Sequence, residues 1–212
     1  MESPSGSATS FARQLVEAGR RLERRGWALG TSGNFSAVIA EDPLRLAITA
    51  SGIDKASLSE KDIVEVDDHA QLVRGRGDGR PSAETHLHLM VVKARDAGAV
   101  LHTHSVWTTV LTNATEAREI SIRGYEMLKG LAGVQTHEHE ERVPIVENAQ
   151  DMPKLAREVE GILAERPGAH AFLLRRHGLY TWGRDLPEAV RHVEILEFLF
   201  EALGRSRSLQ GS

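Results

Sequence analysis

The sequence predicts an α/β fold organised as one domain. Segments with apolar residues at helical spacing lie between short runs that alternate apolar and polar residues, as strands do. No repeat or linker interrupts the 212 residues, and that length suits a single hydrophobic core. We therefore expect one domain over residues 10–205. The two ends, 1–9 and 206–212, are rich in small and polar residues, which predicts flexible tails.

The composition is that of an ordinary globular protein, with 41% hydrophobic and 26% charged residues. A net charge of -4 gives no basic surface and argues against nucleic acid as the main partner. No apolar run reaches membrane-spanning length, and the first residues lack the basic and apolar segments of a secretion signal, so no membrane partner is expected. The chain contains no cysteine, which fits a cytoplasmic location and restricts any metal site to nitrogen and oxygen ligands.

Short strands follow an opening helix in the first third of the chain. Apolar residues at helical spacing run from Ser10 to near Gly26, with charged residues on the opposite face. The strand-like runs that follow are separated by turn-forming residues, and their order predicts a meander of antiparallel strands. These predicted strands are 35–40, 44–49, 63–66 and 71–73, with a brief helical turn at 59–62.

Helices and strands alternate in the rest of the chain. Ser82, Ser105 and Asp151 are each expected to cap the start of a helix. Residues 143–146 are expected to form an edge strand, because Pro144 lacks a backbone donor. Further strands are predicted at 169–174 and 179–183, and an amphipathic helix closes the chain after a capping box of Asp185 and Glu188.

His102 and His104 lie one residue apart on the apolar run 100–107. Side chains alternate faces along a strand, so both imidazoles project to the same side and can bind one metal ion. The alternative is a strand end whose histidines are solvated or hydrogen-bonded. A metal would need a third ligand. One candidate is His177, which stands beside a glycine at the end of a buried strand, and the other is His170.

Two turns rich in small and hydroxyl-bearing residues flank the first predicted strands, at 30–34 and 50–53. Glycines let backbone N–H groups turn toward a common point, and neutral side chains add further donors, so a phosphate can bind here without a lysine. An ordinary turn is the alternative for each segment, since these residues are also the usual turn formers.

Two glutamates are candidate acids or bases. Glu84 shares a helix face with apolar residues and is expected to point inward, where a metal or a substrate hydroxyl would serve as its partner. The alternative is a glutamate in the first turn that simply suits the helix dipole. From the sequence alone, Glu126 is typical of an exposed residue. The stretch 137–141 alternates His and Glu like a metal site, but its charge density and lack of apolar flanks favour solvation.

Five short segments, taken in order, resemble the class II aldolase/adducin family over about residues 11–203: 30–34, 49–52, 81–84, 102–104 and 177–178. The resemblance implies a three-layer α/β/α fold with a mainly antiparallel central sheet, and homotetramers with sites near subunit interfaces. It also implies a sugar-phosphate substrate and a divalent metal, usually zinc, bound by His102, His104 and His177. The implied phosphate-binding residues are Thr31, Gly33, Asn34, Ser51, Gly52 and Ser82. Ala83 departs from the second serine that aldolases of the family often have.

Within that family, the segment 125–130 resembles that of the sugar-phosphate dehydratases of methionine salvage. This likeness makes Glu126 the expected acid/base residue. Glu84 matches the glutamate that aldolases use as acid/base near the metal; in a dehydratase it would instead contact the metal or its water. We therefore expect a zinc-dependent dehydratase in which the metal polarises the carbonyl of a ketose phosphate. The alternatives are an aldolase or 4-epimerase of the same family, and a metal-free interaction module like adducin.

Overall fold

The computed structural model describes residues 8–73 and 79–210. Within these ranges, five α-helices and eight strands form the fold, together with two 3-10 helices at Glu60–Asp62 and Glu126–Gly130. The α-helices are α1 (Ala8–Arg24), α2 (Thr85–Arg95), α3 (Val106–Asn113), α4 (Met152–Ala164) and α5 (Leu186–Gln210). The strands are β1 (Asn34–Glu41), β2 (Leu44–Thr49), β3 (Ile63–Asp67), β4 (Ala99–Thr103), β5 (Glu119–Arg123), β6 (Glu140–Val146), β7 (Ala171–Leu174) and β8 (Gly178–Gly183).

The strands form a sheet in the order β3-β2-β1-β4-β8-β7-β6-β5. β1, β2 and β3 make the predicted antiparallel meander, and β4 and β8 continue it with antiparallel pairings. β6 and β7 pair in parallel, so the sheet is mixed, and the expectation of a mainly antiparallel sheet needs this correction. The reason is the connection between them: α4 joins β6 to β7, and a helical crossover returns the chain in the same direction.

Helices cover both faces of the sheet. α2 and α4 pack on one face, where Val100 of β4 and Phe172 of β7 belong to the same apolar cluster. α1 and α5 pack on the other face against Ala99 and Leu101, because successive strand residues point to opposite sides. The fold is thus three-layered, as the resemblance implies. None of the described helices combines the length and hydropathy needed to cross a membrane.

Three local predictions were wrong. Glu84 rather than Ser82 is the N-cap of α2; the carbonyl of Ser82 instead accepts from the N–H and the hydroxyl of Thr85, at 3.0 and 2.6 Å. The stretch 71–73 forms a bridge at Leu72 rather than a strand. β6 lies inside the sheet between β7 and β5. Its proline is tolerated because the parallel ladder with β7 starts one residue later, at Ile145.

The closing helix α5 continues to Gln210, which corrects the tail predicted at 206–212. Regular helical contacts hold this last part. The Ser208 hydroxyl donates to the Gly204 carbonyl at 3.0 Å, and Arg205 pairs with Glu201 at 2.6 Å. Residues 1–7, which are most of the predicted N-terminal tail, and residues 211–212 lie outside the described residues.

Strand register places four side chains in one row across the sheet. Asn34 of β1 lies opposite His102 of β4, His102 opposite Tyr180 of β8, and Tyr180 opposite Phe172 of β7. Directly opposite residues point to the same face, so this row lies on the side covered by α2 and α4.

Candidate active site

The three histidines predicted to bind a metal lie together at the end of β4 and in the turn between β7 and β8. Nε2 of His102 is 2.7 Å from Nε2 of His104 and 3.3 Å from Nε2 of His177. The three ligand atoms all lie within 4.8 Å of one another. His104 follows the last residue of β4, and its N–H donates to the Trp27 carbonyl at 2.7 Å, which fixes the chain beyond the strand.

Two of the rings are oriented through their second nitrogen. Nδ1–H of His102 donates to the Leu179 carbonyl at 2.9 Å, and Nδ1 of His177 faces Oδ1 of Asn148 at 3.3 Å. A proton on Nδ1 leaves Nε2 with a free lone pair aimed into the cluster.

The same three imidazoles are neutral around pH 7. Burial lowers the pKa of His102 well below its usual value and lowers the pKa of His104 to about 4. Burial also lowers the pKa of His177, against the opposing effect of Glu84. Neutral imidazole is the form that binds a metal ion.

The Glu84 carboxylate stands beside the histidines. Its Oε1 is 3.2 Å from Nε2 of His177 and 3.6 Å from Nε2 of His102. The Nε2 lone pairs of His102 and His177 and the nearby carboxylate oxygen repel one another, and a cation among them would relieve that repulsion. Three converging imidazole nitrogens, with a carboxylate oxygen 3.2 Å from one of them, are a donor set that zinc binds. The residues present therefore fit the implied metal.

A buried chain of hydrogen bonds orients Glu84. Nδ2 of Asn34 donates to Oε2 of Glu84 at 2.5 Å, and Nε2–H of His88 donates to Oδ1 of Asn34. The Ser36 hydroxyl faces Nδ1 of His88 at 2.7 Å, and burial lowers the pKa of His88 to about 3, so its ring is neutral. His88 thus sets the direction of the Asn34 amide and, through it, of the carboxylate.

Stacked aromatic rings hold the His102 imidazole in place. Its ring stacks on Tyr180 with centroids 3.9 Å apart and an interplanar angle of 14°, and Tyr180 stacks on Phe172 at 4.7 Å and 5°. These three residues are cross-strand neighbours in the register described above, so the sheet itself aligns the stack. Rotation of the His102 imidazole is therefore restricted on one side.

The opposite face of the same strand carries a buried acid. The Thr103 hydroxyl donates to Oε1 of Glu197 on α5 at 2.7 Å, while Oε2 of Glu197 is buried with no hydrogen-bond partner in the part of the chain that the structure describes. Burial raises the pKa of Glu197 to about 7. The sequence offered no signal for this residue beyond its place on an amphipathic helix.

The first turn predicted to bind phosphate is pressed against β4. Gly33 has a positive φ of +72°, and a Cβ at this position would come 2.7 Å from the carbonyl oxygen of His102. Only glycine fits this approach. Thr31 and Ser51 are exposed, and the N–H of Ser51 donates to the Arg80 carbonyl at 2.9 Å. Nδ2 of Asn34 lies 3.4 Å from the Ser82 hydroxyl as well as contacting Glu84, so its side chain is already engaged within the protein.

Lys55, which the sequence analysis missed, joins the two turns. Its side chain is 1% exposed, and Nζ donates to the Ile53 carbonyl at 2.8 Å and to the Thr31 carbonyl at 3.4 Å. Burial lowers the pKa of Lys55 to about 8, so the ammonium stays largely charged at neutral pH. A lysine three residues after a glycine turn is normally exposed. The only signal in the sequence is its position between two apolar residues, Ile53 and Leu58.

Glu126 lies apart from this cluster. Its side chain is 72% exposed and pairs with Lys129 at 2.7 Å, with His137 3.9 Å away. The hydrogen bond from Lys129 lowers the pKa of Glu126, so the carboxylate is ionised at neutral pH. Among the described residues, no hydrogen bond or ion pair connects Glu126 with the three histidines or with Glu84.

His170, the other candidate for a third ligand, is not part of the cluster. Its Nδ1 lies 2.9 Å from Oε2 of Glu141, and its Nε2 lies 2.8 Å from the Ala132 carbonyl. The reason is its place at the far end of β7, just before Ala171, whereas His177 follows the other end.

Comparison with known proteins agrees with this geometry. A sequence profile of the Class II Aldolase and Adducin N-terminal domain matches residues 13–203. A methylthioribulose-1-phosphate dehydratase of Marinobacter nauticus is 47% identical over 192 residues, which are 90% of this chain and 90% of that one. A protein of the same name from Methylococcus capsulatus is 44% identical over 191 residues, covering 90% of this chain and 91% of the other.

The fold has solved relatives as well. The l-fuculose-1-phosphate aldolase of Thermus thermophilus superposes with a TM-score of 0.76 over 97% of this chain and 100% of that chain, at 24% identity. Structural similarity at that identity shows the fold alone, whereas the profile match and the identity to the dehydratases show the family. The chain belongs to the class II aldolase and adducin family, in which it is similar to methylthioribulose-1-phosphate dehydratases.

Proposed function

We propose that this protein is a zinc-dependent dehydratase of methionine salvage that converts 5-methylthioribulose-1-phosphate to 2,3-diketo-5-methylthiopentyl-1-phosphate and water. The observation that carries this choice is the 47% identity to a dehydratase of that name over 90% of both chains. The histidine cluster with its carboxylate supports a metal-dependent reaction on an oxygen-rich substrate, which is common to this family.

His102, His104 and His177 are the proposed zinc ligands, and their convergent, neutral Nε2 atoms support this assignment. Zinc bound there supplies Lewis acidity, which makes the hydrogen beside the substrate ketone easier to remove. We assign Glu84 to the metal or to its water, because Asn34 holds one of its oxygens and directs the other at the histidines. An outer hydrogen-bonding partner of this kind fixes the orientation of a ligand.

The substrate phosphate is proposed to bind between the two turns, at Thr31, Gly33, Asn34, Ser51, Gly52 and Ser82. Lys55 joins this set on the evidence of its position. Within the described residues, two of its three ammonium protons have carbonyl acceptors, one in each turn, which leaves the third for an anion. A buried ammonium whose hydrogen-bond acceptors are neutral carbonyls is costly even with the charge of Asp54 nearby, and a bound phosphate would offset that cost.

Glu126 is proposed to move the protons. Dehydration removes the C3 hydrogen and the C4 hydroxyl, and the resulting enol becomes the 2,3-diketone. The carboxylate accepts the C3 proton and returns a proton to the departing C4 hydroxyl. The hydrogen bond from Lys129 lowers the pKa of Glu126, which keeps it ionised for the first step and makes the protonated acid a better donor in the second.

The exposure of Glu126 supports an oligomeric enzyme. A residue that exchanges protons with a sugar works best where bulk water is excluded, yet its carboxylate is 72% exposed in the single chain. A neighbouring subunit that covers this surface would close it, in keeping with the homotetramer that the resemblance implies. We therefore assign Glu126 to the histidine site of a neighbouring subunit.

Glu126→Gln tests the acid/base role. Turnover should fall by ~10²- to 10⁴-fold, the usual contribution of a general acid or base, while zinc content stays unchanged. The matched control is Glu138→Gln, which alters another exposed glutamate of the segment that follows the 3-10 helix. Full activity of Glu126→Gln would sink the assignment.

Mixing two inactive variants tests the assignment to a neighbouring subunit. Glu126→Gln and His102→Ala subunits, unfolded together and reassembled at equal amounts, should regain about a quarter of wild-type activity, since random assembly pairs intact halves across an interface. If both residues served the same subunit's site, every site would carry a lesion. Activity no higher than that of the separate variants would then refute the arrangement.

Product analysis separates dehydration from the chemistry of related enzymes. An aldolase would release glycolaldehyde or dihydroxyacetone phosphate, and a 4-epimerase would return an isomer of the substrate, whereas a dehydratase yields the diketone. A metal-free interaction module would show neither turnover nor bound metal. The three converging histidines favour an enzyme over that last alternative.

A further inference from the structure

A second cluster of metal-binding groups lies outside the site described above. His139 precedes β6, Glu141 lies within it and His170 precedes β7, and one ligand atom from each lies within 4.8 Å of the others. Part of this cluster is the stretch 137–141 that the sequence analysis interpreted as solvated. That interpretation was wrong for Glu141, whose side chain is 1% exposed.

We propose that His139, Glu141 and His170 form a second site for a divalent cation of the zinc type. Oε2 of Glu141 lies 2.9 Å from Nε2 of His139 and 2.9 Å from Nδ1 of His170. Two imidazoles and one carboxylate are a ligand set that zinc binds, with a fourth position left for water. The proposal does not depend on the proposed function.

The groups around the three ligands are arranged to orient them. The backbone N–H of His170 donates to Oε1 of Glu141 at 3.0 Å, which turns the other oxygen toward the imidazoles. Nε2–H of His170 donates to the Ala132 carbonyl at 2.8 Å. In the neutral ring this bond puts the proton on Nε2 and leaves Nδ1 as a lone-pair donor facing the carboxylate. The same second-nitrogen contact with a carbonyl orients His102 at the first site.

A lone pair facing a carboxylate oxygen at 2.9 Å needs a cation between them. A proton on Nδ1 of His170 would provide one, and the ring would then be an imidazolium ion paired with Glu141. In that arrangement His139 would be one more hydrogen-bond donor to a carboxylate that already accepts from the backbone N–H and the ring of His170. A metal ion accounts for both imidazoles.

Access and charge suit a metal ion. His139 is 31% exposed, and a cavity of about 470 Å³ opens beside it and Glu141. Carboxylates outnumber guanidinium groups in its lining, since Glu119, Glu140 and Glu165 accompany Glu141 against Arg142 and Arg166. Both arginines pair with carboxylates of this lining, which limits their repulsion of a cation.

The consequence for the fold is a clamp between separate parts of the chain. A bound ion would tie β6 to the start of β7, next to the carbonyl of Ala132 that His170 contacts. Ala132 follows the 3-10 helix Glu126–Gly130 by two residues. The ion would therefore also steady the segment that carries Glu126.

Metal counting on the full chain tests the proposal. His104→Ala/His177→Ala removes the first cluster, and the protein is then equilibrated with zinc, desalted and analysed for metal per subunit. We expect one zinc per subunit in this background. Adding His139→Ala should lower the zinc affinity by more than ~100-fold, which is the upper range for changes to a metal's outer partners. His137→Ala, on the same segment and 57% exposed, is the matched control and should keep the ion.

Thermal unfolding gives a second readout that a folding defect does not mimic. Zinc should raise the unfolding temperature of the His104→Ala/His177→Ala protein, and adding His139→Ala should abolish that rise while the far-UV spectrum stays native. Absence of zinc from the double variant would overturn the proposal, because the imidazolium pair would then explain the cluster. Zinc that survives both His139→Ala and Glu141→Gln would overturn it equally.

Discussion

Glu197 gives the structure a measurable dependence of stability on pH. This carboxyl lies behind β4, 2% exposed, and accepts the Thr103 hydroxyl at 2.7 Å. Burial raises its pKa from 4.5 to about 7. Between these two values the folded protein binds more protons than the unfolded chain, so this group lowers the free energy of unfolding as the pH rises through that window.

The magnitude follows from the size of the shift. One pKa unit corresponds to about 1.4 kcal/mol, so the wild type should lose roughly 2 to 3 kcal/mol from this group between about pH 5 and about pH 8. Glutamine keeps the shape and the acceptor for Thr103 but cannot ionise. The free energy of unfolding of Glu197→Gln should therefore exceed that of the wild type by about this amount at the higher pH, and by much less at the lower pH.

Denaturant unfolding of both proteins at the two pH values measures this difference. The contributions of other titrating groups to the pH dependence cancel, because both proteins contain those groups. Glu160→Gln, which alters an exposed glutamate on α4, is the control and should follow the wild type. A Glu197→Gln protein that is less stable than wild type by the same amount at both pH values would refute the reasoning, since Glu197 would then be an ionised acceptor.

Two further predictions concern the turns beside the histidines. Gly33→Ala should destabilise the protein and weaken zinc binding, because its Cβ would press on the carbonyl of His102. Gly30 has a similar positive φ, but a Cβ there would meet nothing within 4 Å. Gly30→Ala should therefore lower the free energy of unfolding by only about 1–2 kcal/mol and leave zinc binding intact. Equal unfolding energies and zinc affinities for the two variants would contradict the close approach. Lys55→Met should raise the KM for the sugar phosphate by ~10-fold or more with little change in kcat, as loss of a charge-assisted hydrogen bond predicts, and it should weaken inhibition by inorganic phosphate equally. An unchanged KM in steady-state assays would remove Lys55 from the phosphate site.

The pattern of strands and helices was largely readable from the sequence because local signals decided it. The apolar alternation of residues 44–49 matches β2, and Ser105 and Asp151 cap their helices as predicted. The interior position of residues 143–146 in the sheet was not readable. It depends on β5, a distant strand whose pairing places β6 inside the sheet.

The site was readable only in part for the same reason. Alternation along a strand predicted that His102 and His104 share a side, and their rings lie 4.5 Å apart. Spacing could not choose between His177 and His170, because the choice depends on which end of β7 faces the end of β4. Lys55 was missed since its burial arises where two turns meet, and no local pattern encodes that meeting.

The most direct test of the account is turnover of 5-methylthioribulose-1-phosphate by the purified protein, before and after treatment with a chelator and again after zinc is restored. We expect formation of the 2,3-diketone phosphate, its loss on chelation and its recovery with zinc. Diketone formation that survives complete removal of metal, or cleavage of the substrate in place of dehydration, would contradict the central claim.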